Sequence, residues 1–161
     1  MNRRLQAGLI GAVLSIAATS SVIAKPHSDP SVIAGTWIFN PALSKSAAPA
    51  MRSETRVFSV RGIKVSMRAN GIDASGKPVS NSYDAAYDGK FYPTVGNPVG
   101  DAIALTKVDS HTVTAILRKG AKVAATARAV VSHNGKLLTI TRKIGTPPGT
   151  LVTTLVAYNR Q

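Results

Sequence analysis

Histidines and carboxylates are the side chains of this sequence best suited to acid–base chemistry or metal binding. His27, His111 and His133 are far apart, and none belongs to an HxH or HxxxH pair that would hold a metal ion. Asp84 and Asp88, in YDAAYDG, are the closest acidic pair and would suit proton transfer or cation binding. Asp88 is better explained by the Asp-Gly turn that it begins, and Asp84 as a surface partner of a lysine. We therefore predict no metal site and no catalytic carboxylate pair.

The motifs of nucleophilic, phosphate and dinucleotide chemistry are also missing from the sequence. The chain has no cysteine, no Gly-x-Ser-x-Gly elbow, no P-loop and no dinucleotide fingerprint. No nucleophile stands beside a base that would activate it. We predict that the protein is not an enzyme and that it uses no cofactor.

The first 24 residues have the features of a secretory signal peptide. Arg3 and Arg4 form a positive start, a stretch of small apolar residues follows, and a small-residue cleavage site ends at Ala24. The alternative is an uncleaved membrane anchor, but the glycine, serine and threonine residues leave this stretch only weakly apolar for a permanent span. We predict a signal peptide at 1–24 and an exported protein, either secreted or periplasmic.

Basic residues strongly outnumber acidic ones in the predicted mature chain. Removing Arg3 and Arg4 from the 20 basic residues leaves 18 against 7 acidic residues, a net charge of +11. This charge suggests an anionic partner, such as a lipid headgroup or an envelope polymer. Nucleic acid is disfavoured as a partner, because only 5% of the residues are aromatic and an exported protein rarely meets it. The basic residues are scattered along the chain, which favours an ordinary solvated surface.

Short apolar runs separated by turn residues fill the rest of the chain. In one of them Ile63, Val65 and Met67 alternate with polar neighbours, the period-2 pattern of a half-buried strand. Asp-Gly at 88–89 and Asn-Gly at 134–135 are hairpin turn signals. The sequence predicts an all-β fold: a flexible leader at 25–34, then a single up-and-down antiparallel barrel of about 8–10 strands at 35–161. The ten predicted strands are TWIF, ETRVFSV, IKVSMRA, PVSNSYDAAY, FYPTV, AIALTKV, HTVTAIL, VAATARAVV, LLTITRKI and TLVTTLVAY.

Small residues on one predicted strand bear on whether the barrel interior is open. Within 121–131, alternate positions are valine or alanine, and alanines facing inward leave room for a ligand. The alternative is that Phe58, Tyr83 and Tyr87 fill the same space, and the sequence leaves both open. The connection NPALSKSAAPAMR is the one irregular crossing, where we predict a short helical turn at 43–48 and the place for a lid. The candidate ligand-binding residues of the interior are Ile63, Val65, Met67, Tyr83, Val113, Ala115, Leu117, Ala125 and Ala127.

The only tryptophan, Trp37, stands in the stretch GTWIFNPALSKS. With YDGKFYPTVGNP (87–98), HNGKLLTITRKI and the closing LVAYNR, this stretch resembles a family of small exported bacterial lipocalin-like (calycin-type) β-barrel proteins of unknown function. More remotely, the Gly-x-Trp and GKLLTITRK are similar to lipocalins and fatty-acid-binding proteins. The resemblance implies that Gly35 and Trp37 lie at the closed end of the barrel. It also implies that a basic side chain from a late strand, Arg142 or Arg160, packs across the indole.

The same resemblance implies a lipocalin-like protein that binds a small apolar or amphipathic ligand in the barrel interior. The last-strand Arg-x-Tyr carboxylate anchor of fatty-acid-binding proteins does not carry over, because here Tyr158 precedes Arg160. The alternative function is that of a basic envelope-associated protein, in which a packed barrel is the scaffold and the outer surface binds anionic lipid or polymer. For either function we expect a monomer with no cofactor and no nucleic-acid partner.

Overall fold

Ten strands contain most of the described residues, and several of them alternate buried with exposed side chains. The structure is a computed structural model that describes residues 31–45, 51–146 and 150–161. The second and third strands show the pattern most clearly, since every second residue from Glu54 to Phe58 and from Val65 to Ala69 is buried. The strands are β1 Gly35–Lys45, β2 Ser53–Arg61, β3 Lys64–Ile72, β4 Pro78–Ala86, β5 Phe91–Val95, β6 Ala102–Lys107, β7 Thr112–Lys119, β8 Lys122–Val131, β9 Leu137–Thr146 and β10 Thr150–Arg160.

The ten strands form one closed antiparallel barrel. Each strand pairs with its neighbour in the chain, and β10 pairs back with β1, so the order around the barrel is β1-β10-β9-β8-β7-β6-β5-β4-β3-β2. Closure pairs the strand edges that an open sheet would leave exposed. The predicted all-β, up-and-down barrel is therefore confirmed, with ten strands. The described part of the chain contains no helix of the length and apolarity needed to cross a membrane.

Two hairpin turns have the conformation that their dipeptides predict. Gly89 and Gly135 have positive φ angles of 74° and 71°, which glycine adopts without strain. Asp88 Oδ1 accepts the backbone N–H of Lys90 at 3.0 Å, and Asn134 Oδ1 accepts that of Lys136 at 3.1 Å. The Asp88 carboxylate thus belongs to a turn, as the sequence indicated.

Trp37 fills one end of the barrel, which we call the closed end. Its side chain is fully buried, and its indole Nε1 donates a hydrogen bond of 2.8 Å to the carbonyl of Ile33. Ile33 is itself buried, so the residues just before β1 fold under the barrel. The predicted flexible leader at 25–34 is therefore wrong for its last residues: 31–34 form a turn tied to the indole, while 25–30 and the predicted signal peptide lie outside the described residues.

Arg160 fastens the closed end through a cation–π contact and three hydrogen bonds. Its Cζ atom lies 4.2 Å from the centre of the Trp37 ring. Its Nε donates to the carbonyl of Gly135 at 2.6 Å, its Nη1 donates to that of Ala34 at 2.7 Å, and its Nη2 donates to that of Val32. Of the two basic residues predicted to cover the indole, Arg160 is the one that does. The prediction for Arg142 is wrong, because that side chain points into the barrel interior.

Gly35 is required where the chain enters β1. Its φ of 126° is a value that L side chains rarely adopt, and a Cβ atom there would lie 2.6 Å from Nη1 of Arg160. A side chain at this position would push the guanidinium off the indole. The predicted structural role of Gly35 follows from this close approach.

The crossing after Trp37 is more regular than the sequence suggested. β1 continues to Lys45, so the predicted helical turn at 43–48 is wrong for residues 43–45. Its pairing with β10 shifts between Asn40 and Lys45, where Ser44 Oγ accepts the backbone N–H of Ala157 at 3.0 Å. This bulge keeps the proline and alanine residues in an extended strand. Residues 46–50, which complete the crossing and the proposed lid, lie outside the described residues.

Replacing Trp37 by alanine should destabilise the protein by about 3–5 kcal/mol, because a large cavity would remain at the closed end. Denaturant unfolding followed by circular dichroism measures this loss. Ile38→Ala is the matched control, since Ile38 is the next residue on β1 and its side chain is 40% exposed. We expect the control to change the free energy of unfolding by about 1 kcal/mol or less. Equal losses for the two variants would contradict the role of Trp37 as a plug.

Candidate functional site: an internal cavity with an apolar and a charged wall

A cavity of about 420 Å³ occupies the interior of the barrel. It runs from Ile33 and Tyr87, above the Trp37 plug, to the loops at the opposite end. All exposed residues of its lining belong to that opposite end: Val79, Ser80, Gly96 and Pro98. The cavity therefore extends away from the closed end, between the turn at 73–77 and the loop at 96–101.

Small side chains keep one wall of the cavity clear. This wall is formed by β6, β7 and β8, and Ala115 and Ala127 are direct cross-strand partners within it. Phe58, Tyr83 and Tyr87, the bulky residues that would have filled the space, also line the cavity and leave it open. The apolar wall comprises Ile103, Leu105, Val113, Ala115, Leu117, Ala127 and Ala129.

A buried ion pair lies on the opposite wall. Glu54 and Arg56 occupy two successive inward positions of β2, with Thr55 between them. The Nε of Arg56 donates a hydrogen bond to Glu54 Oε1. The Tyr158 hydroxyl, from β10, donates to the same oxygen at 2.9 Å. The guanidinium of Arg56 also lies 5.1 Å from the centre of the Tyr158 ring. Burial acts to lower the pKa of Arg56, but the neighbouring Tyr158 and Glu54 outweigh it and raise the pKa above its ordinary value.

Arg142 brings a second guanidinium to the same wall. On β9, Leu138, Ile140 and Arg142 alternate along the inward face, and Arg142 lines the cavity beside Arg56. Burial lowers the pKa of Arg142 from its ordinary value, and the positive charge of Arg56 lowers it further. Arginine remains protonated even so, because its ordinary pKa is so high. No hydrogen bond or ion pair joins its guanidinium to any residue in the described ranges.

Two phenols, the buried Tyr158 and the half-buried Tyr83, complete the charged wall. Burial raises the pKa of Tyr158 to about 12, against the opposing effect of Arg56. Burial likewise raises the pKa of Tyr83, so both phenols are protonated at neutral pH. Tyr158 uses its proton to bind Glu54, whereas the Tyr83 hydroxyl has no hydrogen-bond partner among the described residues. Tyr83 therefore presents to the cavity a donor that no described residue accepts.

Most of the interior residues predicted from the sequence do meet at this cavity. Met67, Tyr83, Val113, Ala115, Leu117 and Ala127 line it. Val65 and Ala125 are buried in the adjoining core without lining it. Ile63 is wrong as an interior residue: β3 begins one residue later, so Ile63 stands in the tight turn after β2 with 61% of its surface exposed.

The charged residues of the cavity were not among the predicted ligand-binding residues. Glu54 and Arg56 have the same parity as Phe58 within ETRVFSV, and Arg142 the same parity as Ile140 within LLTITRKI. A charged residue that stands two positions from an inward apolar residue of a strand points to the same face. This pattern is the sequence signal that predicts the charged residues of the cavity.

Metal chemistry gains no support from the arrangement. His111 and His133 meet at the closed end, where their ring centres are 5.2 Å apart. Within residues 31–45, 51–146 and 150–161, no group of three or more histidine and carboxylate side chains is arranged to hold a metal ion.

Comparison with known proteins identifies no family. No protein-family model matches the sequence, and no curated protein matches it. Among solved structures, the chain is similar to EF1p2_mFAP2b bound to DFHBI, with 12% identity, 81% of this chain and 94% of that chain covered, and a TM-score of 0.43. Lobster apocrustacyanin A1 shares 15% identity over 81% of this chain and 61% of that chain, with a TM-score of 0.41. Apocrustacyanin C2 shares 14% identity over 84% and 64%, with a TM-score of 0.43.

The chain thus spans less than two thirds of the length of the two crustacyanin chains. Such low identities and TM-scores assign neither a family nor a ligand.

The buried phenol of Tyr158 makes the stability of the protein fall at alkaline pH. Its pKa is about 12 in the folded protein and about 10 in an unfolded chain. A pKa that is higher in the folded state contributes stability that is complete below about pH 10 and is lost as the pH rises through about 12. We expect the thermal unfolding midpoint of the wild type to fall more steeply over this range than that of Tyr158→Phe.

Circular dichroism melts at about pH 8 to 12 measure this difference. At neutral pH the variant should be less stable by about 1 kcal/mol, because the hydrogen bond to Glu54 is lost. The gap between the two proteins should then narrow above about pH 10. Parallel curves would contradict the elevated pKa of Tyr158.

Proposed function

We propose that this protein is an exported, non-enzymatic binding protein that holds a small apolar or amphipathic molecule inside its barrel. The observation that carries the proposal is the interior cavity of about 420 Å³. This volume falls within the range of about 300–1,000 Å³ that is usual for small-molecule sites. A position inside a closed barrel also shields an apolar ligand from water along the barrel wall and at the plugged end.

The two walls of the cavity favour an amphipathic ligand over a purely apolar one. Valine, leucine, isoleucine and alanine side chains from β6, β7 and β8 offer apolar contact. The facing wall offers hydrogen-bond donors from Arg142 and Tyr83. A molecule with one polar end and one apolar end satisfies both walls at once.

The alternative function, binding of an anionic envelope surface by a packed barrel, has less support. A packed scaffold has no need of an interior cavity. The exposed basic side chains of the described residues are also spread over both ends and the outer wall of the barrel: Lys45, Arg52, Arg61, Lys64, Arg68, Lys77, Lys90, Lys107, Lys119, Lys122, Arg128, Lys136 and Lys143. A docking face would gather them on one side.

Filling the cavity should abolish binding without unfolding the barrel. The probe is N-phenyl-1-naphthylamine, an uncharged fluorophore whose emission rises in apolar surroundings. Ala127→Phe places a ring in the cavity, and we expect the affinity for the probe to fall at least about tenfold, a loss of about 1.4 kcal/mol of binding free energy. The matched control is Thr126→Phe, which adds the same ring to the adjacent, outward-facing position of β8.

The control variant should bind the probe like the wild type, and the melting curves of both variants should remain cooperative. A wild type that does not bind the probe would sink the proposal, as would equal losses in the two variants. Native mass spectrometry of gently purified protein gives an independent readout, since a retained ligand appears as added mass that is lost on denaturation.

A further inference from the structure

We infer that the cavity selects an amphipathic molecule with a carboxylate head, which the guanidinium of Arg142 and the hydroxyl of Tyr83 bind inside the barrel. This inference rests on the proposed function and adds to it the chemical class of the ligand. It follows from the charges of the cavity and from the side chains that satisfy them.

The polar wall holds two cations and one anion. Arg56 is neutralised by Glu54, and Tyr158 donates its hydroxyl to the same carboxylate. Arg142 lines the same cavity without an ion-pair partner in the described ranges. Among the described residues, the interior of the barrel therefore has an excess of one positive charge.

The other carboxylates of the described residues are engaged elsewhere. Asp84 pairs with Arg68 on the outer surface at 2.8 Å. Asp88, Asp101 and Asp109 accept backbone N–H groups in turns or at strand ends. The undescribed residues contain a single acid, Asp29.

Asp73 is the other acid that touches the cavity, and it lies at the rim opposite the closed end. Its Oδ1 accepts the hydroxyl of Ser75 at 2.6 Å and the backbone N–H of Lys77 at 2.9 Å. Its carboxylate is thus occupied within its own turn. Arg142 lies deeper, with Ala127 and Thr154 as its cross-strand neighbours.

An unpaired guanidinium in an apolar cavity is costly, and an anion is what relieves that cost. Isolated buried charges are strongly disfavoured unless they are paired and hydrogen-bonded. Every fully buried side-chain nitrogen or oxygen of the described residues has a partner, so the donors of Arg142 and Tyr83 keep accessible surface on the cavity side. Arginine binds carboxylates through two parallel N–H donors, and the excess of one charge matches a monoanion.

The rest of such a ligand would contact the apolar wall. Ala127, a residue of that wall, is the register partner of Arg142 across β8 and β9. A head at Arg142 therefore places the first carbons of the ligand beside Ala127 and Ala129.

Two fluorophores that differ by one anionic group test the inference. 8-Anilinonaphthalene-1-sulfonate carries a sulfonate that N-phenyl-1-naphthylamine lacks, and titrating both gives a ratio of affinities. Arg142→Met removes the charge while keeping an unbranched side chain. We expect this variant to lose at least about tenfold in affinity for the sulfonate and to bind the neutral fluorophore unchanged.

Lys143→Met is the matched control, because it removes the same charge from the adjacent, outward-facing position of β9. It should leave both affinities unchanged. A loss of sulfonate binding as large as that of Arg142→Met would mean that the outer surface attracts the anion, and would overturn the inference. An Arg142→Met protein that keeps its sulfonate affinity would also overturn it, while binding of the neutral fluorophore would leave the proposed function intact.

Two further measurements keep the inference testable if Arg142→Met folds poorly. Tyr83→Phe removes only the hydroxyl, and it should lower the affinity for the sulfonate about three- to tenfold with no effect on the neutral fluorophore. Dodecanoate should displace the sulfonate from the wild type at lower concentration than 1-dodecanol does. Equal displacement by acid and alcohol, or an unchanged Tyr83→Phe, would contradict the assignment.

Discussion

The contact of Arg160 with Trp37 fixes which end of the barrel is shut. A guanidinium held by three backbone carbonyls covers a fully buried indole, and only a glycine at position 35 leaves room for it. Trp37 and Arg160 are also register partners in the pairing of β1 with β10, which closes the barrel. Their contact therefore stabilises both the junction of the first and last strands and the closed end. The remaining interior space is then bounded below by the plug, and any ligand must sit between it and the opposite loops.

The charged wall explains why the cavity is more than a packing defect. Apolar cavities cost stability in proportion to their volume, and a buried unpaired cation adds to that cost. Glu54 satisfies Arg56 and Tyr158, so those three groups form a closed set. Arg142 has no ion-pair partner among the described residues, and its charge is the reason that we propose an anionic head for the ligand. An anion bound beside its guanidinium would compensate this charge.

Much of the fold could be predicted from the sequence because turns and alternation are local signals. Asp-Gly and Asn-Gly dipeptides marked two hairpins, and short apolar runs between turn residues marked all ten strands. The boundary of a strand is less local, so Ile63 was assigned to the interior although the turn before β3 exposes it. The bulge that keeps residues 43–45 in β1 depends on Ser44 meeting β10, a contact more than a hundred residues away. In the sequence, Arg142 and Arg160 are equal candidates for the cation that covers Trp37. Only the register of the strands decides that Arg160 is the one that reaches the indole.

A crystal structure of the protein with dodecanoate tests the central claim most directly. We expect one dodecanoate inside the barrel, with its carboxylate within hydrogen-bonding distance of Arg142 and Tyr83 and its alkyl chain against the alanines of β7 and β8. A barrel whose interior is filled by its own side chains would contradict the cavity. A chain bound with its carboxylate away from Arg142, among the exposed loops, would contradict the role of the buried guanidinium.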